Sequence, residues 1–263
     1  MRIVGIMLVQ NEDLYVRQAA VNALSFCDEL LAVDNMSDDA TGEILRDLEK
    51  ETGGRLKYHR AEHPGVSHDL IAPYAGTDTW IFGVDGDEIY DPEGLSRMRR
   101  RLEGGEFDKD WVVFGNVFNL VSIELDKSKA SGHLAPPCRS MTKLYNFSAI
   151  NAWHGPCQER LHGGRIVFKP GFGEHQRRNL HQETDWADAD FRCLHLCFLR
   201  RSSKEAESAS PRRNIMDRHA WGWRKILKEG WRMARGLPLS NWKLERYARG
   251  PLVTHPVHNF FRR

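Results

Sequence analysis

The sequence predicts an α/β fold, a mostly parallel sheet flanked by helices. Three observations in the first 103 residues predict it: apolar segments alternate with amphipathic ones, the apolar segments are rich in Ile, Leu and Val, and most end in polar residues. Strands that are buried on both faces have continuous apolar sequences, and regular alternation of strands with helices indicates parallel pairing. We therefore expect the chain to begin with repeated strand-helix units.

The elements follow in order along the chain. Apolar runs predict strands, and apolar residues at helical spacing predict helices. The predicted strands of the first half cover residues 2–9, 28–33, 56–59 and 79–84, and the predicted helices cover 13–26, 41–51 and 92–102. In the second half, strands separated by loops at 111–120, 139–147 and 165–169 predict a mixed extension of the sheet. The stretch 191–199 is apolar around a central histidine, and helical segments are predicted near 214–235 and 240–249.

Composition indicates an ordinary soluble chain, with 41% hydrophobic and 28% charged residues. The net charge is +2, but from Arg200 onward 16 Lys and Arg residues stand against 5 Asp and Glu residues. Five cysteines without a CxxC pair argue against a disulfide framework or a zinc ribbon, and favour a reducing compartment. There is no signal peptide pattern and no window of about 20 apolar residues, so we expect a cytoplasmic protein with at most peripheral membrane contact.

A short acidic turn follows the predicted strand 79–84. Asp85, Gly86, Asp87 and Glu88 place three carboxylates directly after a buried strand, whereas solvated acids usually lie on exposed helix faces. Carboxylate oxygens are the ligands that Mg²⁺ and Mn²⁺ prefer, and such ions often bridge to the phosphates of a substrate. The turn predicts a metal site, although an acidic turn that caps the following helix is the structural alternative.

Polar residues also follow the first two strands, at Asn11 and Glu12 and at Asp34, Ser37 and Asp38. In parallel sheets ligands collect at the carboxyl ends of the strands, so these residues and the acidic turn are expected to share one crevice. Asp34 would accept ribose hydroxyls, groups near Asn11 would contact the base, and the metal would hold a diphosphate. Neither GxxxxGK[ST] nor GxGxxG occurs, which weakens kinase, ATPase and Rossmann dehydrogenase interpretations.

Three motifs in this order resemble family 2 glycosyltransferases of the GT-A fold: Asn11-Glu12, VDNMSDDAT at 33–41 and VDGDE at 84–88. The resemblance covers about residues 1–200 and is strongest over the first 100. It implies a nucleotide-donor half at 1–103, an acceptor half at 104–200 and a basic helical extension at 201–263. It also implies a metal-dependent transfer of sugar from a nucleotide-diphosphate donor to a hydroxyl, with inversion by direct displacement.

The resemblance assigns roles to individual residues. Asp34 contacts the nucleoside, Asp85 the ribose or the metal, and Asp87 the Mn²⁺ or Mg²⁺ ion. The donor-binding set is Asn11, Glu12, Asp34, Ser37, Asp38, Asp85 and Gly86, and the metal set is Asp85, Asp87 and His195.

His195 is included because some GT-A enzymes use a late histidine as a further metal ligand. A buried structural histidine is the alternative, and a zinc site with Cys193 and Cys197 is conceivable if the segment is a strand.

The candidate base is Glu159. Segments 139–146 and 154–161 are similar to the acceptor side of these enzymes, where an acid often follows a histidine, although here Gln158 precedes the acid. A sugar hydroxyl is a poor nucleophile until a base removes its proton, which is the role we assign to Glu159. A surface acid paired with Arg160 or Arg165 is the alternative, and Glu88 and Asp91 are lesser candidates for the base.

Four of the eight tryptophans lie in the basic tail, at Trp221, Trp223, Trp231 and Trp242. A basic helix with one aromatic side is typical of contact with an anionic membrane, which suits a lipid-linked acceptor. A helix packed on the core and a polyanion-binding segment are the alternatives.

Two rival functions also stay open: a nucleotidyltransferase, although the Gly-rich phosphate loop is missing, and a GT-A-like binding module without turnover.

Overall fold

Eleven strands in the described part of the chain form one large sheet, and two more form a separate hairpin. The computed structural model describes residues 1–138, 142–205, 235 and 246–261. The strands are β1 (Arg2–Val9), β2 (Glu29–Asp34), β3 (Leu56–Arg60), β4 (Thr79–Asp85), β5 (Glu88–Tyr90), β6 (Val112–Ile123), β7 (Lys129–Ala135), β8 (Thr142–Asn146), β9 (Ile150–Glu159), β10 (His162–Phe168), β11 (Arg177–Asn179), β12 (Arg192–His195) and β13 (Val253–Pro256). The helices are α1 (Val16–Leu24), α2 (Thr41–Glu51), α3 (Val66–Asp69), α4 (Pro92–Glu103) and α5 (Leu180–Glu183).

The first four strands form the predicted parallel sheet. β1 lies between β2 and β4 and pairs parallel with both, while β2 pairs parallel with β3. Every residue of β1 after Arg2 is buried, because apolar clusters pack on both faces of this part of the sheet. The α/β class and the mixed extension are confirmed, since β4, β8, β6 and β7 continue the sheet through antiparallel pairs.

The register of the parallel strands brings three strand ends together. Val9 pairs with Asp34 and Leu8 pairs with Asp85. The residues that follow β1, β2 and β4 therefore leave the sheet side by side, as the sequence predicts.

Some boundaries differ from prediction. The apolar stretch 191–199, whose structure the sequence left open, forms β12 only up to His195, because the next amide, Leu196 N, donates to Asp87 O at 2.9 Å and the chain turns. The sequence did not predict β5, β7, β9, β11 or β13. The helix predicted at 214–235 lies outside the described residues except for Arg235, and that at 240–249 lies outside them up to residue 245.

The end of the chain contributes to the sheet. β13, which falls in the predicted basic extension, pairs antiparallel with β7, and the buried side chains of Val257 and Phe260 join an apolar cluster. Among the described helices, none has the length and apolarity to cross a membrane. All five cysteines are free thiols.

Asp91 fixes the end of the acidic turn to the rest of the sheet. It is the N-cap of α4, where its side chain accepts a hydrogen bond from Glu93 N, and it is 1% exposed. Its Oδ2 atom also accepts from Arg192 Nη2 at 2.7 Å and Nε at 3.0 Å. The Arg192 guanidinium lies over the rings of Trp186 and Phe260. These contacts give Asp91 a structural role rather than that of a base.

We expect Asp91→Ala to lower the free energy of unfolding by about 3–5 kcal/mol, because it leaves a largely buried guanidinium without its carboxylate and removes a helix cap. Urea unfolding of the full chain measures the loss. Asp47→Ala is the control, since its pair with Lys50 is half-exposed and such surface changes usually shift stability by about 0.5 kcal/mol or less. A loss below about 1 kcal/mol for Asp91→Ala would contradict this role.

Candidate functional site

The loops after β1 and β2 interlock through side chains predicted to bind the donor. Asn11 N donates to Ser37 Oγ, and Asp38 N donates to Asn11 Oδ1, both at 2.8 Å. Asn11 has a φ of 55°, a conformation that asparagine tolerates better than most residues. Glu12 N donates to Thr41 Oγ1 at 2.7 Å, which ties the first loop to the start of α2. The two loops therefore form one rigid wall.

Asp34 ends β2 behind this wall. Its Oδ1 atom accepts from Ser37 N at 2.8 Å and its Oδ2 atom accepts from Tyr58 OH at 3.0 Å, and the residue is fully buried. A Cβ added at Gly42 would lie 2.9 Å from Asp34 Oδ2, so a glycine is needed there. Both carboxylate oxygens are held in place beside the crevice.

The acidic turn lies against the first loop. Asp85 has a half-exposed side chain, whereas the side chain of Asp87 is only 5% exposed. A Cβ added at Gly86 would approach Glu12 Oε2 to 2.3 Å and Val9 Cγ1 to 2.6 Å. Only glycine allows so close an approach, and the turn thereby brings the Asp87 and Glu12 carboxylates to the same guanidinium.

Two arginines pair with the aspartates of the turn. Arg160 Nη2 donates to Asp85 Oδ1, and Arg201 Nη1 donates to Asp87 Oδ2. Arg201 Nη1 also lies 3.3 Å from Glu12 Oε1, and its side chain is 7% exposed. Burial alone would lower the pKa of Arg201, but the charges of Asp87 and Glu12 raise it, so the guanidinium stays charged. The acidic turn is neutralised by cations of the chain itself.

His195 lies at the end of β12, beside the turn. Its Nδ1 atom is 2.7 Å from Asn119 Oδ1, and its Nε2 atom is 3.6 Å from Asp87 Oδ2. An accepting amide oxygen places a proton on Nδ1, and in the neutral ring the lone pair would then be on Nε2, the form of imidazole that coordinates metals. Cys193 and Cys197 are buried, but in the described residues no group of three or more His, Cys, Asp or Glu side chains is arranged to hold a metal ion. This holds for the predicted set Asp85, Asp87 and His195 as well as for Cys193, His195 and Cys197, so the geometry supports neither set as a preformed metal site.

Glu88 is the third acid of the turn and is buried. Its Oε2 atom accepts from Tyr90 OH at 2.7 Å and lies 3.4 Å from Asp85 N. Burial raises the pKa of the Glu88 carboxyl well above its usual value of 4.5, and the nearby charge of Asp85 raises it further. Its burial and its bond from Tyr90 tie Glu88 to the core, which makes it a poor base for a bound substrate.

Glu159 lies at the end of β9, with a side chain that is 19% exposed. Its Oε1 atom is 3.1 Å from His162 Nδ1. Burial alone would raise the pKa of the Glu159 carboxyl, but the hydrogen bond from His162 and the charge of Arg160 bring it below the usual value. Glu159 is thus ionised at neutral pH, although the lowered pKa makes it a weaker base than an ordinary glutamate. The small pocket beside it, about 50 Å³ in volume, is lined by Gly83, Asp85, Glu88, Thr142, Lys143, Arg160, Leu161 and His162.

The structure groups the sequence-predicted residues in three sets. Around the acidic turn lie Glu12, Asp85, Gly86, Asp87 and His195, and in the adjoining wall lie Asn11, Asp34, Ser37 and Asp38. Glu159 does not line the pocket, and is linked to the turn through its neighbour Arg160, which bonds Asp85. The predicted roles of these residues stay predictions.

Sequence reasoning missed Arg160 and Arg201 as residues of the site. Arg160 was considered only as a surface partner of Glu159. Arg201 is six residues after His195, but one of 16 basic residues from Arg200 onward, and nothing in the sequence distinguishes it from the others. Only the fold identifies these two as the cations of the site.

Comparison with protein families gives one match over most of the chain. The model of the family described as Glycosyl transferase family 2 matches residues 6–172. This range includes every predicted site residue except His195. Comparison with curated protein sequences finds no match.

Solved structures share part of the fold. Residues 1–349 of S. aureus TarS, in complex with UDP, are 18% identical with a TM-score of 0.36, and the alignment covers 57% of this chain and 48% of that one. Glucosyl-3-phosphoglycerate synthase from Mycobacterium tuberculosis, in complex with Mn²⁺, UDP and glucosyl-3-phosphoglycerate, is 16% identical with a TM-score of 0.35, covering 57% of this chain and 58% of that one. This chain thus spans about half the length of the first of these structures. TM-scores this low describe partial overlap only.

We expect Glu88→Gln to become more stable relative to the wild type as the pH rises above about 4.5. Because the pKa of Glu88 is raised on folding, the wild type has its full stability below the unfolded pKa and loses stability as the pH rises towards the folded pKa. Glutamine keeps an oxygen that accepts from Tyr90 and does not titrate.

The measurement is the free energy of unfolding in urea between pH 4.5 and 8 for the wild type and the variant. Glu43→Gln, at an exposed position on α2, is the control for loss of an acid. The raised pKa of Glu88 would be refuted if the gain in free energy of unfolding of Glu88→Gln over the wild type stayed constant or shrank with rising pH.

Proposed function

This chain belongs to glycosyl transferase family 2, and we propose on that basis that it transfers a sugar from a nucleotide-diphosphate donor to an acceptor hydroxyl. The observation that carries the proposal is the meeting of three polar strand ends, after β1, β2 and β4, at one edge of a parallel sheet. In this proposal the product is a nucleoside diphosphate. A nucleotidyltransferase would instead release pyrophosphate.

The nucleoside end of the donor would lie against the wall formed by the first two loops. Asn11, Ser37 and Asp38 are already bonded to one another there, so the wall needs little ordering when a ligand binds. Asp34, with both oxygens held, would accept ribose hydroxyls once Tyr58 or Ser37 gives up its bond. Gly86 would let the diphosphate approach the backbone of the turn.

The described residues hold no preformed metal site, but the ligand types of the turn suit a divalent cation. Asp87 and His195 supply a carboxylate and an imidazole nitrogen that lie 3.6 Å apart, and Asp85 supplies the second carboxylate. Mn²⁺ or Mg²⁺ held by these residues would offset charge that grows on the departing diphosphate. Arg160 and Arg201 pair with the two aspartates, so a divalent cation would have to compete with these guanidinium groups for the carboxylates.

Glu159 would act as the base of an inverting transfer. Its lowered pKa keeps it ionised at neutral pH, and the bond to His162 fixes its orientation. It would take the proton of the acceptor hydroxyl at Oε1 or Oε2 as attack on the anomeric carbon develops.

The acceptor in this proposal is a glycan, a lipid-linked hydroxyl or a small molecule. The surplus of basic residues from Arg200 onward favours attraction to an anionic membrane surface, where a lipid-linked acceptor would be found, on the cytoplasmic side. The tail tryptophans on which this depends lie outside the described residues.

We expect Asp87→Asn to weaken binding of the nucleoside diphosphate in the presence of Mn²⁺ by roughly tenfold or more, since a charged ligand is replaced by a neutral one of equal size. Titration calorimetry with a panel of nucleoside diphosphates measures the affinity. Asp47→Asn, half-exposed on α2, is the control. Undiminished affinity in Asp87→Asn would count against the donor site.

We expect Glu159→Gln to slow transfer by roughly 10²–10⁴-fold, as is typical when a general base is removed, while affinity for the donor is retained. Release of nucleoside diphosphate from nucleotide sugars, with water or added acceptors, gives the rate. Glu174→Gln, an exposed acid, is the matched control. If Glu159→Gln turns over as fast as the wild type, another residue is the base.

A further inference from the structure

Residues 201–205, here called the latch segment, run from the turn after β12 across the loops that follow β1 and β2. Arg201 O accepts a hydrogen bond from Leu14 N at 3.1 Å, and Arg201 N donates to Glu205 Oε2 at 2.9 Å. The segment therefore has its own internal bond and a backbone bond to the first loop. It lies over the wall to which the nucleoside is assigned.

The outer residues of the latch segment bond to acids of the donor half. Ser202 Oγ donates to Asp39 Oδ2 at 2.5 Å, and Ser203 donates through N and Oγ to the Asp13 carboxylate at 2.7 and 2.5 Å. Lys204 Nζ donates to Asp38 O and lies 3.6 Å from its carboxylate. Each of these acids belongs to a loop after β1 or β2.

The inner residue, Arg201, reaches the acidic turn. Its guanidinium is buried between Asp87 and Glu12, and its Nη1 atom bonds to the Asp87 oxygen that lies nearest to His195 Nε2. A divalent cation coordinated by Asp87 and His195 would need that oxygen and would lie within a few ångströms of a positive guanidinium. The two cations would compete for this oxygen, and at so short a distance they would repel each other.

From this overlap we infer that the latch segment is a gate operated by cation exchange: Arg201 holds Asp87 and Glu12 until a divalent cation replaces its guanidinium, and the segment then leaves the donor site. The inference rests on the proposed function, because it takes the metal at Asp87 as given. It adds that the closed latch lowers the apparent affinity for the cation, since only the open fraction binds it. Because charge-assisted hydrogen bonds of this kind must break first, we expect them to reduce the apparent affinity for the cation by roughly 10- to 100-fold.

The direct test uses Mn²⁺ alone as the probe, with the full chain. Arg201→Met removes the competing charge and keeps an unbranched apolar side chain of similar length. We expect Arg201→Met to bind Mn²⁺ roughly 10-fold or more tightly than the wild type, as measured by calorimetry or by the electron paramagnetic resonance signal of free Mn²⁺. Arg17→Met is the matched control, because it breaks an exposed pair with Glu51 on the surface of α1 and α2. Equal or weaker binding by Arg201→Met overturns the gate.

A second variant protects the test against misfolding of the first. Ser202→Ala combined with Ser203→Ala loosens the outer contacts and leaves Arg201, Asp87 and Glu12 intact. We expect several-fold tighter Mn²⁺ binding in this variant also, and unchanged affinity overturns the gate.

Hydrogen exchange of the wild-type chain gives an independent readout of opening. The amides of Leu14 and Ser203 donate the bonds that hold the latch segment to the first loop. Addition of Mn²⁺ with a nucleoside diphosphate should make these amides exchange faster than they do in the unliganded chain. Unchanged or slower exchange contradicts an opening gate.

The outcomes separate the gate from the proposed function. If Mn²⁺ binds the wild type and Arg201→Met equally, and a nucleoside diphosphate binds with it, the gate fails and the transferase proposal stands. If Mn²⁺ binds neither protein, both the gate and the metal-dependent part of the proposed function fail. Binding of a nucleoside diphosphate without metal would then test whether the chain has a donor site at all.

Discussion

The candidate site depends on how its concentrated negative charge is neutralised. Parallel pairing of β1, β2 and β4 brings Glu12, Asp34, Asp85 and Asp87 to one edge, with Glu88 behind them. Two like charges 4 Å apart repel by about 4 kcal/mol at an effective dielectric constant of 20. Two guanidinium groups and the raised pKa of Glu88 oppose this repulsion. Without them the strand ends could not lie so close together.

The same constraint explains why the second half of the chain folds over the first. Arg160 comes from the end of the β9–β10 hairpin and Arg201 from the turn after β12, so both cations come from elements outside the four-stranded parallel unit. β5 and β12 pair antiparallel, which carries His195 and then the latch segment to the acidic turn. The bond from Arg192 to Asp91 also ties the start of β12 to the start of α4. The acidic edge formed by the first 103 residues is thus paired with cations from later in the chain.

The sequence predicts those features that depend on residues close together in the chain, and it does not predict contacts between residues far apart in it. The strands and helices of the first 103 residues are set by local apolar periodicity, and the convergence of their ends follows from parallel pairing. The arginine partners could not be predicted, because 75 residues separate Arg160 from Asp85 and 114 separate Arg201 from Asp87. Short strands such as β5 and β11 have only three residues each, too few for a periodic pattern.

Charge balance also decides what a bound donor would do to the site. A nucleotide diphosphate would add negative charge to an edge where two guanidinium groups face four carboxylates, so its binding would require additional positive charge. In the proposed site a divalent cation at Asp87 would supply that charge and, by the inferred gate, displace the guanidinium of Arg201. Donor and cation would then favour each other's binding. The charge requirement that holds Arg201 against Asp87 and Glu12 would thus link release of the latch segment to binding of the cation, which the donor promotes.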